Sequence, residues 1–195
     1  MTVQSQPHVL AIGEALIDIV VTYEQPDFPF GIPGGSPANV ALTVGRLGRP
    51  VALATWFGAD TLGRLIDFHM NDSGVYITPA SRGASHTSTA LARLDENGAA
   101  SYTFDLEWAP TAPIEVPETA QIIEAGSISA IIEPGASAVL DALARGREHA
   151  LVFFDPNARP SIMGEPAVAL VSLERFIALA DVVKVSDEDI EWLTG

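Results

Sequence analysis

Gly34-Gly35-Ser36-Pro37-Ala38-Asn39-Val40-Ala41 is the stretch on which the reading of this chain turns, and Gly48, Gly58, Asp60 and Gly63 follow it at regular intervals. Neither glycine carries a Cβ, so the backbone there can approach a ligand closely. Ser36 is expected to cap the helix that follows, with Pro37 at its first position, where a missing N–H costs nothing. Val40, Ala41, Val44 and Leu47 then recur at helical spacing, and Gly48 supplies the stop. Bare amides at a helix N-terminus, with Asn39 in the first turn, suit a polyhydroxy or anionic ligand. Taken alone, the glycines fit an ordinary tight loop into a core helix equally well.

The rest of the chain bounds the answer. Its 195 residues suffice for one sizeable domain, and 48% hydrophobic against 18% charged residues describes a globular protein. No apolar run is long enough to span a bilayer, because Glu14 and Asp18 interrupt Val9 to Val21. The start lacks the features of a secretory signal, and the absence of cysteine excludes disulfides and thiolate zinc sites. Both fit a cytoplasmic location. A net charge of −15 argues against nucleic acid and anionic membrane as partners. An anionic substrate would therefore need local cations. The four histidines have no metal-ligand spacing, so no protein metal site is expected.

Hydrophobic patterning predicts a buried strand over 8–21 and a loop or edge segment over 23–33. A second strand is expected at 50–57, and a helix from an Asp60 cap to Ser73-Gly74, with Leu62, Leu65, Ile66 and His69 on one face. Asp95-Glu96-Asn97-Gly98 joins 87–94 to 99–104 as a hairpin. A proline-rich connector occupies 107–117. Strands at 121–127, 150–154 and 181–185 alternate with helices at 136–147, 166–179 and from 187 onward. That order predicts βαβ units and a parallel sheet covered by helices. The early hairpin breaks the pattern, as lids do.

These segments carry a resemblance. The glycine turn, Gly13-Glu14-Ala15-Leu16-Ile17-Asp18, Gly58-Ala59-Asp60-Thr61-Leu62-Gly63 and Gly126-Ser127-Ile128-Ser129 with Glu133-Pro134 stand in order. Asp155-Pro156-Asn157-Ala158-Arg159-Pro160 and Lys184-Val185-Ser186-Asp187-Glu188-Asp189 follow. Together they resemble the ribokinase-like (pfkB) carbohydrate kinases, most closely the fructokinase branch. The resemblance implies an α/β fold, a three-layer α/β/α sheet with a small β lid, its lid segments at about 14–33 and 85–110. It implies transfer of phosphate from ATP to a sugar hydroxyl, with Mg²⁺ and a homodimer through the lid. It further implies a GAGD motif supplying anion hole and catalytic base, which does not occur in these 195 residues. The expected base therefore lies beyond Gly195, and no catalytic residue is assigned within the chain. On that reading the chain is the N-terminal part of such a kinase, its C-terminal part missing, and is inactive by itself. The rival is a non-catalytic sugar-binding or regulatory half-kinase, and ribose or 2-keto-3-deoxygluconate are the alternative substrates.

By the same resemblance Asp18, Gly35 and Asn39 hold the sugar, with Gly34 as backbone support. Phe104 and Trp108 could cover a sugar face or simply pack. Arg159 could bind a sugar oxygen or phosphate, or pair with Asp155 or another loop acid. Asn157 is expected to fix its turn, while Glu133 either approaches the sugar or caps a helix. Lys184, Ser186 and Asp189 are the candidates for the nucleotide. Ser186-x-x-Asp189 is a variant of the family's N-x-x-E, and the acids there also complement a helix dipole.

Overall fold

Glycine 13 sets the architecture by dividing the first apolar run in two. Its φ of 152° lies where side chains are rarely tolerated, and a Cβ there would overlap the Pro37 ring. The chain therefore leaves β1 (Val9–Ile12) through Gly13-Glu14-Ala15 and starts β2 (Leu16–Val21) in a different sheet, instead of forming the single strand expected. The computed structural model describes residues 7–25 and 30–195. Pro26 and Pro29, part of the expected loop or edge segment, lie outside the described residues. The segment resumes as β3 (Phe30–Gly34), an edge strand antiparallel to β2.

After α1 (Ser36–Arg46) come β4 (Val51–Ala54), α2 (Thr61–Asp72) and β5 (Val75–Ile77). The hairpin β6 (Thr89–Leu94) and β7 (Ala100–Asp105) is followed by β8 (Ile122–Gly126), α3 (Gly135–Gly146) and β9 (Leu151–Asp155). A short α4 (Pro160–Met163), α5 (Pro166–Ile177), β10 (Val182–Val183) and α6 (Asp187–Thr194) complete the described chain. The large sheet runs β10-β9-β8-β1-β4-β5, every pair parallel. The small sheet runs β3-β2-β6-β7, with β2 and β6 parallel and both outer pairs antiparallel.

Strand alternation gives the large sheet two apolar faces. Leu10, Ile12, Ala52, Ala54, Ile123 and Phe154 pack with Val139 and Leu143 of α3 and Leu173 and Phe176 of α5. Ala11, Val51, Leu53, Val75 and Ile77 face Ala38 and Ala41 of α1 and Ile66 and Met70 of α2. The result is a three-layer α/β/α unit. A third cluster, including Leu16, Ala90, Ile128, Ala158 and Met163, fills the junction between the two sheets.

Several local expectations shift. Gly35, not Ser36, is the N-cap of α1, and Ser36 is its first helical residue. Leu47 lies beyond the helix and is 74% exposed; Leu65 also faces solvent, and the buried stripe of α2 is Gly63, Ile66 and Met70. The three-residue β5 and four-residue α4 are too short to show a periodic signal in sequence. Asp60 does cap α2, accepting from Gly63 N–H at 2.7 Å. It also accepts from the Thr87 N–H at 2.8 Å and hydroxyl at 2.7 Å, which ties the helix to the approach of β6. Burial pushes the Asp60 carboxyl up, but these donated hydrogen bonds outweigh it and hold it below the usual range.

Candidate active site

A cleft of about 500 Å³ opens between the small sheet and the N-terminus of α1. Its roof is a cross-strand row set by register: Asp18 of β2 pairs Ala90 of β6, which pairs Phe104 of β7. All three line the cleft. Opposite them stand Gly35 and Asn39 at the start of α1 and Arg159 from the loop after β9. Five of the residues expected at a sugar site are thus brought together. Gly34 lies beside them in β3, buried, with no room for a Cβ because one would overlap Asp18 Oδ2.

Gly35 has φ 103°, and a Cβ there would overlap the Glu14 carbonyl oxygen. This close approach explains the double glycine. It folds α1 back over the β1–β2 junction, with Asn39 N–H donating to Gly35 O at 2.9 Å. The Asp18 carboxylate accepts no hydrogen bond among the described residues, so its oxygens are free for hydroxyl donors. Partial burial raises its pKa, and the charge of Arg159 opposes that.

Arg159 does not pair with Asp155. Its Nη1 donates to Asn157 Oδ1 at 3.0 Å, Asn157 O at 3.2 Å and Ala158 O at 2.9 Å. Asp155 is instead engaged by Lys184 Nζ at 3.1 Å. Asn157 fixes the turn, as expected, with φ 38° and its N–H donating to Asp155 Oδ1 at 3.0 Å, and it lines the cleft as well. Glu133 is a cap: it accepts from Ser137 N–H at 3.1 Å and from its hydroxyl at 3.0 Å. Trp108 is buried against Gly135, away from the cleft.

Lys184, Ser186 and Asp189 are not among the cleft-lining residues. Ser186 caps α6, accepting from Asp189 N–H at 3.1 Å, and Asp189 Oδ1 accepts from Ala158 N–H at 3.0 Å. All three brace the loop that presents Arg159. The Lys184 side chain remains 66% exposed, so its ammonium can meet a phosphate. Gly195, the residue beyond which the catalytic base is expected, is likewise absent from the cleft lining. Its φ is 88° and its N–H donates to Glu191 O at 2.9 Å. Among the described residues no three His, Cys, Asp or Glu are grouped to hold a metal.

Glu14 was expected only as part of the first strand, yet it belongs to the site. It is 6% exposed, lines the cleft and accepts from Ser36 N–H at 3.2 Å, anchoring the first turn of α1. Burial pushes its carboxyl up to about 7, against hydrogen bonds from its surroundings including the Ser127 hydroxyl. Glu124 of β8 is pushed up to about 8 by burial and by the charges of Glu14 and Asp155. Each keeps an Oε2 without a partner among the described residues. An acid inside an otherwise apolar strand, as in Ile122-Ile123-Glu124-Ala125, was the available signal.

The α/β domain thus sets a small sheet over a cleft lined by the Asp18 carboxylate, the start of α1 and the Arg159 guanidinium. The comparisons place it further: the pfkB family carbohydrate kinase profile matches residues 6–195, and the chain belongs to that family. Fructokinase-1 of Zea mays is 34% identical over 206 residues, covering 96% of this chain and 62% of the relative. The fructokinase of Salmonella typhimurium is 31% identical, with the same coverage of 96% and 62%. Among solved structures, the ATP-bound fructokinase of Xylella fastidiosa superposes with TM-score 0.78 at 29% identity, over 96% of this chain and 64% of that one. A sugar kinase from Pyrococcus horikoshii in complex with ATP gives TM-score 0.81 at 26% identity, over 95% and 65%. The chain therefore spans about 62% of the length of these curated relatives.

Proposed function

We propose that this chain supplies the sugar-holding part of an ATP-dependent fructokinase. The observation that carries the reading is the cleft itself, with Asp18 and Phe104 on one side and Gly35, Asn39 and Arg159 on the other. A carboxylate accepting two hydroxyls and the Gly35 backbone amide donating to a third would fix a sugar ring by position. The small sheet acts as a lid whose closure excludes water from the transfer step. Arg159 meets a sugar oxygen or the transferred phosphate. Similarity to fructokinases at 31–34% identity supports fructose over ribose or 2-keto-3-deoxygluconate.

ATP would bring the phosphoryl group, with the exposed Lys184 a cation to meet it. Mg²⁺ would be carried mainly by the nucleotide's phosphates and water. Phe30, Ile32 and Tyr102 are exposed on the small sheet and support a dimer formed through the lid. Isothermal titration of the 195-residue chain tests the sugar assignment. Fructose is expected to bind at least about tenfold tighter than ribose, a difference of about 1.4 kcal/mol. Equal or tighter ribose binding would sink the fructose assignment.

A further inference from the structure

The hairpin of the small sheet meets the rest of the molecule at the approach to β6 and the exit from β7, and a group of polar side chains ties those two ends together. Ser85 and His86 stand just before β6, Asp105 closes β7 and Glu107 follows it. His86 Nε2 lies 2.9 Å from Asp105 Oδ1. Its Nδ1 lies 3.0 Å from Ser85 Oγ and 3.4 Å from Glu107 Oε2. Ser85 Oγ is 2.5 Å from Glu107 Oε2, and the Ser85 N–H donates to the same oxygen at 3.1 Å. Trp56, buried just past β4, donates its indole N–H to Glu107 Oε1 at 3.1 Å and anchors the group on the core.

Counting hydrogens fixes the charge that this arrangement needs. The short Ser85–Glu107 contact requires a proton between the two oxygens. Hydrogen bonds from Ser85 and Trp56 hold the Glu107 carboxyl below the usual range, so that proton is the serine's. A hydroxyl has only one proton to give, and Ser85 Oγ can therefore only accept from His86. The Asp105 carboxylate likewise only accepts. Both ring nitrogens must then carry hydrogen, and all the contacts coexist only with an imidazolium. In the neutral ring one nitrogen is a bare acceptor. Either Asp105 loses its donor, or the Ser85 hydroxyl turns to the ring and leaves Glu107. The other charged groups of this region are engaged elsewhere: Asp60 accepts from Gly63 and Thr87, and Arg82 pairs with Asp67 of α2.

We propose that Ser85, His86, Asp105 and Glu107 form a pH-sensitive clamp at the hinge of the small sheet, closed when the His86 ring carries both protons and loosened when it loses one. Histidine is the side chain that ordinarily changes charge between about pH 5 and 8. The closed clamp holds the extra proton, so it is favoured as pH falls and lost as pH rises. Phe104, which lines the sugar cleft, immediately precedes Asp105, so the clamp steadies one wall of that cleft. His86 and Asp105 side chains are 42% and 67% exposed, and screening by water keeps the effect local and modest.

The test is amide hydrogen exchange of the 195-residue chain and of its His86→Gln variant, compared at about pH 5.5 and about pH 8. Protection of the β6–β7 ladder in the parent is expected to exceed that in the variant about threefold at the lower pH and to match it at the higher. The ratio cancels titrations common to both chains, those of Glu14 and Glu124 included. In a Ser85→Ala background, which removes the shared hydroxyl, the same ratio should vary less with pH. A parent-to-variant ratio that is the same at both pH values, or a pH change undiminished by Ser85→Ala, would overturn the proposal.

Discussion

Asp18→Ala is expected to lower fructose affinity at least about a hundredfold while leaving the melting temperature of the free chain nearly unchanged. The carboxylate stands in the row Asp18–Ala90–Phe104, and no hydrogen bond among the described residues uses it. Removing it therefore breaks nothing that holds the fold. Partial burial already raises its pKa, so its charged form gains from hydroxyl donors that replace lost water. Each hydrogen bond to a charged acceptor contributes about 1.5–3 kcal/mol, and two of them reach at least about 3 kcal/mol, more than two decades in affinity. Isothermal titration and thermal melting separate the two effects. A loss below about fivefold would show that the sugar is held elsewhere.

The second large effect concerns stability and pH. Glu14 and Glu124 titrate at about 7 and about 8 in the folded chain, against 4.5 for an exposed glutamate. Because the folded values are raised, the folded state binds more protons than the unfolded state between 4.5 and about 8. Their contribution to stability is therefore fully present below 4.5 and is lost as pH rises through 7 and 8. Glu124→Gln keeps the shape and removes the charge that Glu14 and Asp155 repel. The variant is expected to exceed the parent at pH 8 by on the order of 2 kcal/mol and to show a flatter stability profile between about pH 6 and 8. Urea unfolding across that range measures it. Parallel profiles, or a variant less stable at the alkaline end, would contradict the assignment.

The elements that carry a local signal were legible in the sequence. Asp60 caps α2 where its spacing from the apolar residues placed a cap, and Asp95 accepts from Asn97 N–H at 2.8 Å and Ala99 N–H at 2.9 Å to close the predicted hairpin. The double glycine pointed to a close backbone approach, and Gly35 against Glu14 provides it. What escaped depends on contacts distant in sequence. The run 8–21 is continuously apolar enough to read as one strand; only the crowding of Pro37 and Ser129 around Gly13 shows that it must turn there. Glu14 looks like a polar interruption of that run until the fold covers it. Trp108 offered itself as a sugar cover, but its indole is taken by the Gly135 surface of α3. Arg159 left two readings open in sequence; Lys184 holds Asp155, and the Arg159 hydrogen bonds go to Asn157 and Ala158 instead of to an acid.

The central claim is that the cleft between the small sheet and α1 holds a sugar, and a crystal structure of this chain grown with fructose tests it most directly. The account predicts one fructose in the cleft, two of its hydroxyls within hydrogen-bond distance of the Asp18 carboxylate and a third near the amides at Gly35. Fructose bound anywhere else, or a cleft filled by water at saturating fructose, would contradict it.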